Sequence, residues 1–152
     1  MDIVLHPIGT VRNGRTETGD QDWGRIESAI EVLPEFARAL EGLEQWSHVL
    51  VVFFMDRDGG AAPPDDWRRR PREREDMPLL GVFAQRGRMR PNTIGVTAVP
   101  LVRLEPGRLV VRALDAVDGT PVLDLKPYAP AFDRVDGARV PAWFEKLMRG
   151  YF

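Results

Sequence analysis

The sequence predicts a mainly β fold closed into a compact barrel, and three observations carry that reading. Six or more short apolar runs, several of them alternating apolar and polar residues, are separated by breaks rich in Gly and Pro. Helical spacing is confined to one short internal segment, Pro34–Leu43, and one C-terminal segment, Pro141–Gly150, each beginning with proline. The length of 152 residues suits a single domain over 1–152, with a core over about 3–133 and the closing helix over about 141–150. No internal repeat or low-complexity segment interrupts it.

Taken in order, Ile3–Val11 carries β-branched residues in loose alternation and reads as a first strand, with Pro7 marking an edge or bulge. Asn13–Gly24 is a polar loop. Arg25–Leu33 sets Ile26, Ser28, Ile30 and Val32 against Arg25, Glu27 and Glu31, the period of a half-buried strand. In Pro34–Leu43 the apolar residues Phe36, Leu40 and Leu43 fall at helical spacing. Trp46–Met55 is the most apolar segment and reads as a central strand buried on both faces.

Asp56–Pro78 is too long for a neutral connector. Its RRRPRER run (Arg68–Arg74) invites a nucleic-acid reading. The acids Asp65, Asp66, Glu73, Glu75 and Asp76 offset it, so a solvated, self-paired loop is expected. Leu79–Ala84, Thr93–Leu104, Leu109–Leu114 and Pro121–Leu125 read as strands, with Pro100 predicting a break in the second. Pro127–Val140 reads as a loop.

Composition excludes several chemistries. There are no cysteines, which removes disulfides, thiolate nucleophiles and Cys-ligated zinc. His6 and His48 are too few for a His-rich metal site, so no metal is expected. His48, in an otherwise apolar strand, is expected to be a hydrogen-bonded core residue. The longest apolar run, Val49–Met55, is far short of a membrane span, and the N-terminus shows no secretion signal. These features predict a cytoplasmic protein with no membrane association. A net charge of −2 makes the whole chain a poor polyanion binder, so RNA contact requires a local patch.

Two segments flanking the Thr97–Ala113 strand pair concentrate the chemistry. In GVFAQRGRMRPNTIG (Gly81–Gly95), Arg86, Arg88 and Arg90 follow an apolar strand with no acid between them. They form either an anion clamp or a solvated turn closed by Pro91 and Asn92. In LDAVDGTPVLDLKPYAP (Leu114–Pro130), Asp115, Asp118 and Asp124 surround the Asp118–Gly119 turn. They either cap a hairpin or accept hydrogen bonds from ligand hydroxyls. Tyr128 and Trp23 can stack on a base or simply pack.

These two segments, together with IGTVRN (Ile8–Asn13) and GLEQWSHVLVVF (Gly42–Phe53), resemble the TsaA-like, TrmO-type family. The likeness runs from about Ile8 to Tyr128, with four motifs in the family's order. It implies a β-barrel methyltransferase fold unrelated to the Rossmann type, in keeping with the lack of a GxGxxG element after a strand. It also implies a homodimer that binds S-adenosyl-L-methionine near the subunit boundary. The reaction implied is N6-methylation of threonylcarbamoyl-adenosine at position 37 of tRNA.

Carried onto this sequence, the cofactor contacts fall at Asp22, Trp23 and Gly24, at Asp56 and Arg57, at Arg86, and at Leu114, Asp115, Asp118, Gly119 and Thr120. Arg88, Arg90, Asn92 and Tyr128 are the candidates for the acceptor side. No residue is assigned as the catalytic base. The sequence departs from the family pattern at Thr93, where RPNTIG replaces RPNPIG, and at Met55-Asp56-Arg57, where the tRNA enzyme has His-Gln. It also reads as a short form without the family's C-terminal extension. Two other readings stand beside tRNA methylation: a regulatory dimer that binds the cofactor without turnover, and a methyltransferase with a small-molecule acceptor.

Overall fold

Alternation along β3 (His48–Phe54) shows how the sheet closes. Val49, Val51 and Phe53 are buried, whereas His48 and Phe54 are exposed and Leu50 and Val52 half-buried. The computed structural model describes residues 1–58 and 64–152. In chain order the other elements are β1 (Gly9–Arg12), β2 (Glu27–Val32), β4 (Arg68–Arg69), β5 (Leu80–Gly81), β6 (Ile94–Glu105), β7 (Arg108–Arg112), β8 (Pro121–Pro127), α1 (Pro130–Asp133) and α2 (Ala142–Leu147). Six strands close antiparallel in the order β1-β2-β7-β6-β3-β8, and β4 and β5 form a separate two-stranded ladder.

Inward residues from all six strands or their ends fill the interior: Val11, Ile30, Val49, Val51, Phe53, Val99, Leu109, Val111 and Val122. Burial of a Val or Leu side chain contributes about 1.5–3 kcal/mol each, so this filling is the main stabilising term. Closure leaves the six barrel strands without free edges.

The barrel prediction holds, but several boundaries move. β1 begins at Gly9, and Ile3, Val4 and Leu5 are exposed outside it. Pro7 supplies no N–H, and β8 pairs with β1 only at Gly9↔Val122 and Thr10↔Pro121 before β3 takes it over. β3 is buried on one face rather than two, because only its inner residues meet the core. The short helix expected over Pro34–Leu43 forms as two 3-10 segments, Pro34–Leu40 and Leu43–Gln45, parted at Gly42.

Leu79–Ala84 yields only the short β5 and then a 3-10 turn, Val82–Ala84. Residues 127–140 include the single-turn α1, and α2 is shorter than the predicted helix. β6 runs through Pro100 without a break. The Leu101 N–H donates to the Ser47 carbonyl on the β3 side, so alternation turns the Pro100 nitrogen the other way. There β7 begins its pairing at Leu101↔Val111, and the β6–β7 register shifts just beyond the proline, between Leu101 and Arg103. Part of the predicted Asp56–Pro78 loop, residues 59–63, lies outside the described residues. Among the described residues no helix is long and apolar enough to cross a membrane.

Candidate functional site at one rim of the barrel

The registers fix which loops share an end of the barrel. Arg12↔Ala29, Glu27↔Arg112, Phe54↔Ile94 and Thr10↔Pro121 bring the ends of β1, β3 and β7 to the starts of β2, β6 and β8. Three connections open on that rim: 13–26, 55–93 and 113–120. They carry Asp22, Trp23, Gly24, Asp56, Arg57, Arg86, Arg88, Arg90, Asn92, Leu114, Asp115, Asp118, Gly119 and Thr120. Tyr128 alone of the predicted site residues follows β8 and lies at the opposite rim, where its N–H donates to the His48 carbonyl at 3.0 Å.

The Asp118–Gly119 bend is a knot rather than a hairpin, because β7 and β8 are not neighbours in the barrel. The Thr120 N–H closes a turn on the Val117 carbonyl at 3.2 Å, with Gly119 at φ 86, a conformation that suits glycine. The Gly119 N–H reaches the Val11 carbonyl at 2.8 Å, and the Asp118 N–H reaches the Arg15 carbonyl at 2.7 Å. The Asp118 carboxylate accepts from the backbone N–H groups of Asn13 (2.8 Å) and Gly14 (3.1 Å). Those bonds, from Gly14 first and then Asn13, hold its pKa below the usual carboxylate value. Arg57 donates to the Asp118 carbonyl, so the loop after β3 is tied to the same bend.

Asp115 is held differently. Thr97 Oγ1 donates to Asp115 Oδ1 at 2.5 Å, and the Tyr151 hydroxyl donates to Oδ2 at 2.5 Å. Thr97 is buried inside β6, and Leu114 beside Asp115 is wholly buried, so the acid is carried on a rigid base. Asp124 sits on β8 opposite Val52 and pairs with Lys126 at 2.8 Å, away from the bend.

In the arginine segment the two readings divide by residue. Arg90 Nη1 donates to the carbonyls of Gln85 (2.6 Å), Val82 (3.2 Å) and Gly87 (3.2 Å), and its guanidinium lies 5.9 Å from the Phe83 ring centroid. It therefore staples its own loop. Arg86 is exposed and donates to the Val96 carbonyl at 2.8 Å, leaving its remaining N–H groups along the start of β6. Arg88 and Asn92 are exposed on the same loop.

The Asp22–Gly24 loop is built around Trp23, which is buried, stacks under the Arg15 guanidinium at 3.6 Å and donates from Nε1 to the Gly19 carbonyl at 2.9 Å. Gly24 has no room for a side chain: a Cβ there would lie 2.6 Å from the Phe152 carbonyl carbon. Beside it a cleft of about 540 Å³ is lined by Arg15, Asp20, Asp22, Arg72 and Arg74, among others. Arg72 pairs with Asp20 at 3.1 Å, yet its Nη2 is buried with no hydrogen-bond partner among the described residues.

The mixed-charge run pairs largely within itself, as predicted: Arg68 with Asp66 (2.8 Å), Arg69 with Glu73 (3.5 Å) and Arg74 with Asp76 (2.7 Å). His48 is not in the core. It is exposed, bonded to Ser47 Oγ at 2.8 Å and set against Tyr128 with ring centroids 6.2 Å apart. The outward phase of β3 puts it there.

Sequence reasoning missed Thr97, Arg72 and Tyr151. Thr97 is legible afterwards as the polar residue on the inward phase of β6. Tyr151 carries no local signal, since its partner lies 36 residues away. Asn13 was quoted within IGTVRN but given no role. Its amide donates to Ser28 Oγ and to the Ala116 carbonyl, both at 2.9 Å, and so links two rim loops.

A closed antiparallel barrel whose loops bring a carboxylate, arginines and a tight Asp-Gly bend to one rim defines the class: a small β-barrel protein with its polar loops gathered at one end. The chain belongs to the family described as the tRNA-methyltransferase O N-terminal domain, which matches residues 16–134. It is 37% identical over 142 residues to an S-adenosyl-L-methionine-binding protein of Archaeoglobus fulgidus, covering 88% of this chain and 95% of that one. It is 35% identical over 123 residues to the Homo sapiens tRNA (adenine(37)-N6)-methyltransferase, covering 77% of this chain and 25% of that one. The crystal structure of TrmO from Pseudomonas aeruginosa superimposes with a TM-score of 0.74 at 38% identity, over 91% of this chain and 61% of that one. The chain thus spans less than two thirds of the TrmO structure and a quarter of the human enzyme.

Proposed function

We propose that this protein is an S-adenosyl-L-methionine-dependent methyltransferase that methylates N6 of adenosine 37 in tRNA, with the threonylcarbamoyl-modified base as acceptor. The observation that carries this reading is the convergence of the 13–26, 55–93 and 113–120 loops on one rim. Relatives named for the cofactor and for the tRNA reaction support it.

The donor set fits the cofactor. S-adenosyl-L-methionine supplies a methyl group already activated on a positively charged sulfur. The rim offers the carboxylate of Asp115, oriented by two hydroxyls, to a cationic or hydroxyl-bearing ligand. Arg86, bonded to the start of β6, suits an anionic group, and the buried Nη2 of Arg72 beside the Asp20–Gly24 loop has no acceptor among the described residues. Asp22, Gly24, Asp56, Arg57, Asp118 and Gly119 lie on the loops of this rim, and the buried Trp23, Leu114 and Thr120 support those loops from beneath. Arg88, Arg90 and Asn92 hold or face the acceptor side.

These residues work by orientation. Fixing donor and acceptor in line can remove about 7–11 kcal/mol from the barrier of a reaction between two bound groups. The acceptor nitrogen gains the methyl and loses one proton. A nitrogen between a carbonyl and a purine gives that proton up more readily than an ordinary amine, so modest base help suffices.

We read the working form as a cytoplasmic homodimer of single-domain chains. The outer face of β3 and β6 supports it: Phe54 is 40%, Val96 43% and the neighbouring Phe83 79% exposed. Arg86 bonds to the Val96 carbonyl, so this apolar face adjoins the rim, and a second copy seated there would lie beside the candidate site.

Calorimetric titration with S-adenosyl-L-methionine is the first test, and binding at micromolar concentration is expected. The second is transfer of a labelled methyl group to bulk tRNA from cells lacking this activity, followed by nucleoside mass spectrometry. Absence of binding rejects the enzyme reading. Binding without transfer to tRNA rejects the acceptor assignment.

A further inference from the structure

Tyr151 reaches the rim from the far end of the chain, and the segment Gly150–Phe152 is anchored there by main-chain bonds. The Asp22 N–H donates to the Gly150 carbonyl at 3.1 Å and the Trp23 N–H to the Tyr151 carbonyl at 2.9 Å. Gly24 lies against Phe152 too closely for any Cβ. Arg72, pinned by Asp20, stands 5.7 Å over the Tyr151 ring, and Lys146 of α2 pairs with Asp76 at 2.7 Å. The segment is therefore tied both to the 13–26 loop and to the arm that follows β4. Its side chain then delivers a hydroxyl to one oxygen of Asp115, while Thr97 delivers one to the other.

We propose that Tyr151 is a positioning residue for the rim site: it fixes the Asp115 carboxylate so that the acceptor lone pairs left by Thr97 and Tyr151 face the ligand. The proposal rests on the assignment of S-adenosyl-L-methionine to this rim. An ionised carboxylate has about four acceptor sites, and two hydroxyl donors leave about two for a ligand. An O–H···O distance of 2.5 Å is that of a charge-assisted bond, which locks direction as well as position. Burial first, and then the charge of Asp115, raise the Tyr151 pKa above its ordinary value, so the phenol stays a donor. The 13–26 loop that anchors Tyr151 also carries Asp22, Trp23 and Gly24, so the residue joins two walls of one site.

The test is a double-mutant cycle read by calorimetry with S-adenosyl-L-methionine on the full chain: wild type, Tyr151→Phe, Asp115→Asn and the pair. Tyr151→Phe keeps the ring and removes the hydroxyl, and is expected to weaken binding about tenfold. The pair is expected to bind within about twofold of Asp115→Asn alone, because the tyrosine acts through the aspartate. Binding by Tyr151→Phe equal to or tighter than wild type overturns the proposal, the tighter case showing that the segment competes with the ligand. Full additivity in the pair also overturns it.

Wild type that fails to bind removes the cofactor assignment itself, a different failure. A ligand-free measurement stands beside the cycle. The chain has two tyrosines, so ultraviolet titration in a Tyr128→Phe background reads Tyr151 alone. Tyr151 is expected to ionise above the ordinary tyrosine range of about 10 and to move toward it in Asp115→Asn, and ionisation within that range in the otherwise wild-type chain overturns the contact.

Discussion

The Arg57 guanidinium donates to the main-chain carbonyl of Asp118, a residue 61 positions further on, and so ties the loop after β3 to the Asp-Gly bend before β8. Both residues stand at the same rim, and the Asp118 carboxylate is already committed to the 13–14 backbone. One bond thus joins the three connections that shape the site. Arg57→Ala is expected to cost about 1 kcal/mol in urea unfolding, the usual net worth of such a hydrogen bond at an exposed position. S-adenosyl-L-methionine should bind about fivefold more weakly by calorimetry. Arg57→Lys should recover part of the affinity, since an ammonium reaches the carbonyl but cannot present a planar fork.

The barrel was legible in the alternation of Arg25–Leu33 and of the residues on either side of Pro106–Gly107, because a period of two survives whatever the neighbours are. Trp46–Met55 misled on burial: apolar residues on the outer phase of β3 are half-exposed in one chain. Pro100 misled on continuity, since the consequence of a missing N–H depends on which neighbour that position faces. For the candidate site, motif position picked out loops that share one rim, and Arg86 and Asp115 lie on them. What no local pattern held was the division of labour. Arg90 turned inward to its own loop, Asp118 to backbone amides, and Tyr151 arrived from a segment that looked like the end of a helix.

Gly119→Ala isolates the backbone demand of the bend. Position 119 sits at φ 86, where an L side chain costs roughly 1–2 kcal/mol. The new Cβ would also lie 3.4 Å from Arg57 Nη2, a contact the guanidinium can relieve by shifting. A loss of about 1–2 kcal/mol in urea unfolding is expected, with Gly119→Asn losing less because asparagine tolerates this region. Equal stability of wild type and Gly119→Ala would show that the bend relaxes to another turn.

Asn13→Ala removes three hydrogen bonds of a half-buried amide, donated to Ser28 Oγ and the Ala116 carbonyl and accepted from the Arg15 N–H, and strips Ser28, which is 1% exposed, of its Asn13 partner. Leaving a buried hydroxyl short of a partner costs about 1–3 kcal/mol, and chemical denaturation is expected to fall in that range. Asn13→Asp keeps the acceptor for the Arg15 N–H but turns an acceptor toward the Ala116 carbonyl, which needs a donor, so it should recover only part of the loss. Full rescue by Asp would mean that donation is not what position 13 provides.

Acid should expose the Asp118 contribution. Hydrogen bonds from Gly14 and Asn13 lower its folded pKa, so its stabilisation is present above the unfolded value of about 3.9 and is lost as pH falls through the lower folded value. Thermal melts of wild type and Asp118→Asn from pH 5 to pH 2 are expected to converge as acid is added. Parallel curves would remove the carboxylate from the account.

Alkali should do the reverse through Tyr151. Burial and the Asp115 charge raise its folded pKa above the ordinary tyrosine value of about 10. Below about pH 10 both states keep the proton and the hydrogen bond to Asp115 contributes in full. Above it the unfolded chain gives up the proton while the folded chain holds it, so the unfolded state is favoured and stability declines as pH climbs toward the folded value. Tyr151→Phe lacks that proton. It should start less stable than wild type at pH 8, and the difference in melting temperature should narrow by pH 11. Other alkaline transitions are common to both proteins and cancel in the difference. A gap that stays constant over this range would mean that the Tyr151 hydroxyl is hydrated in the folded protein rather than bonded to Asp115.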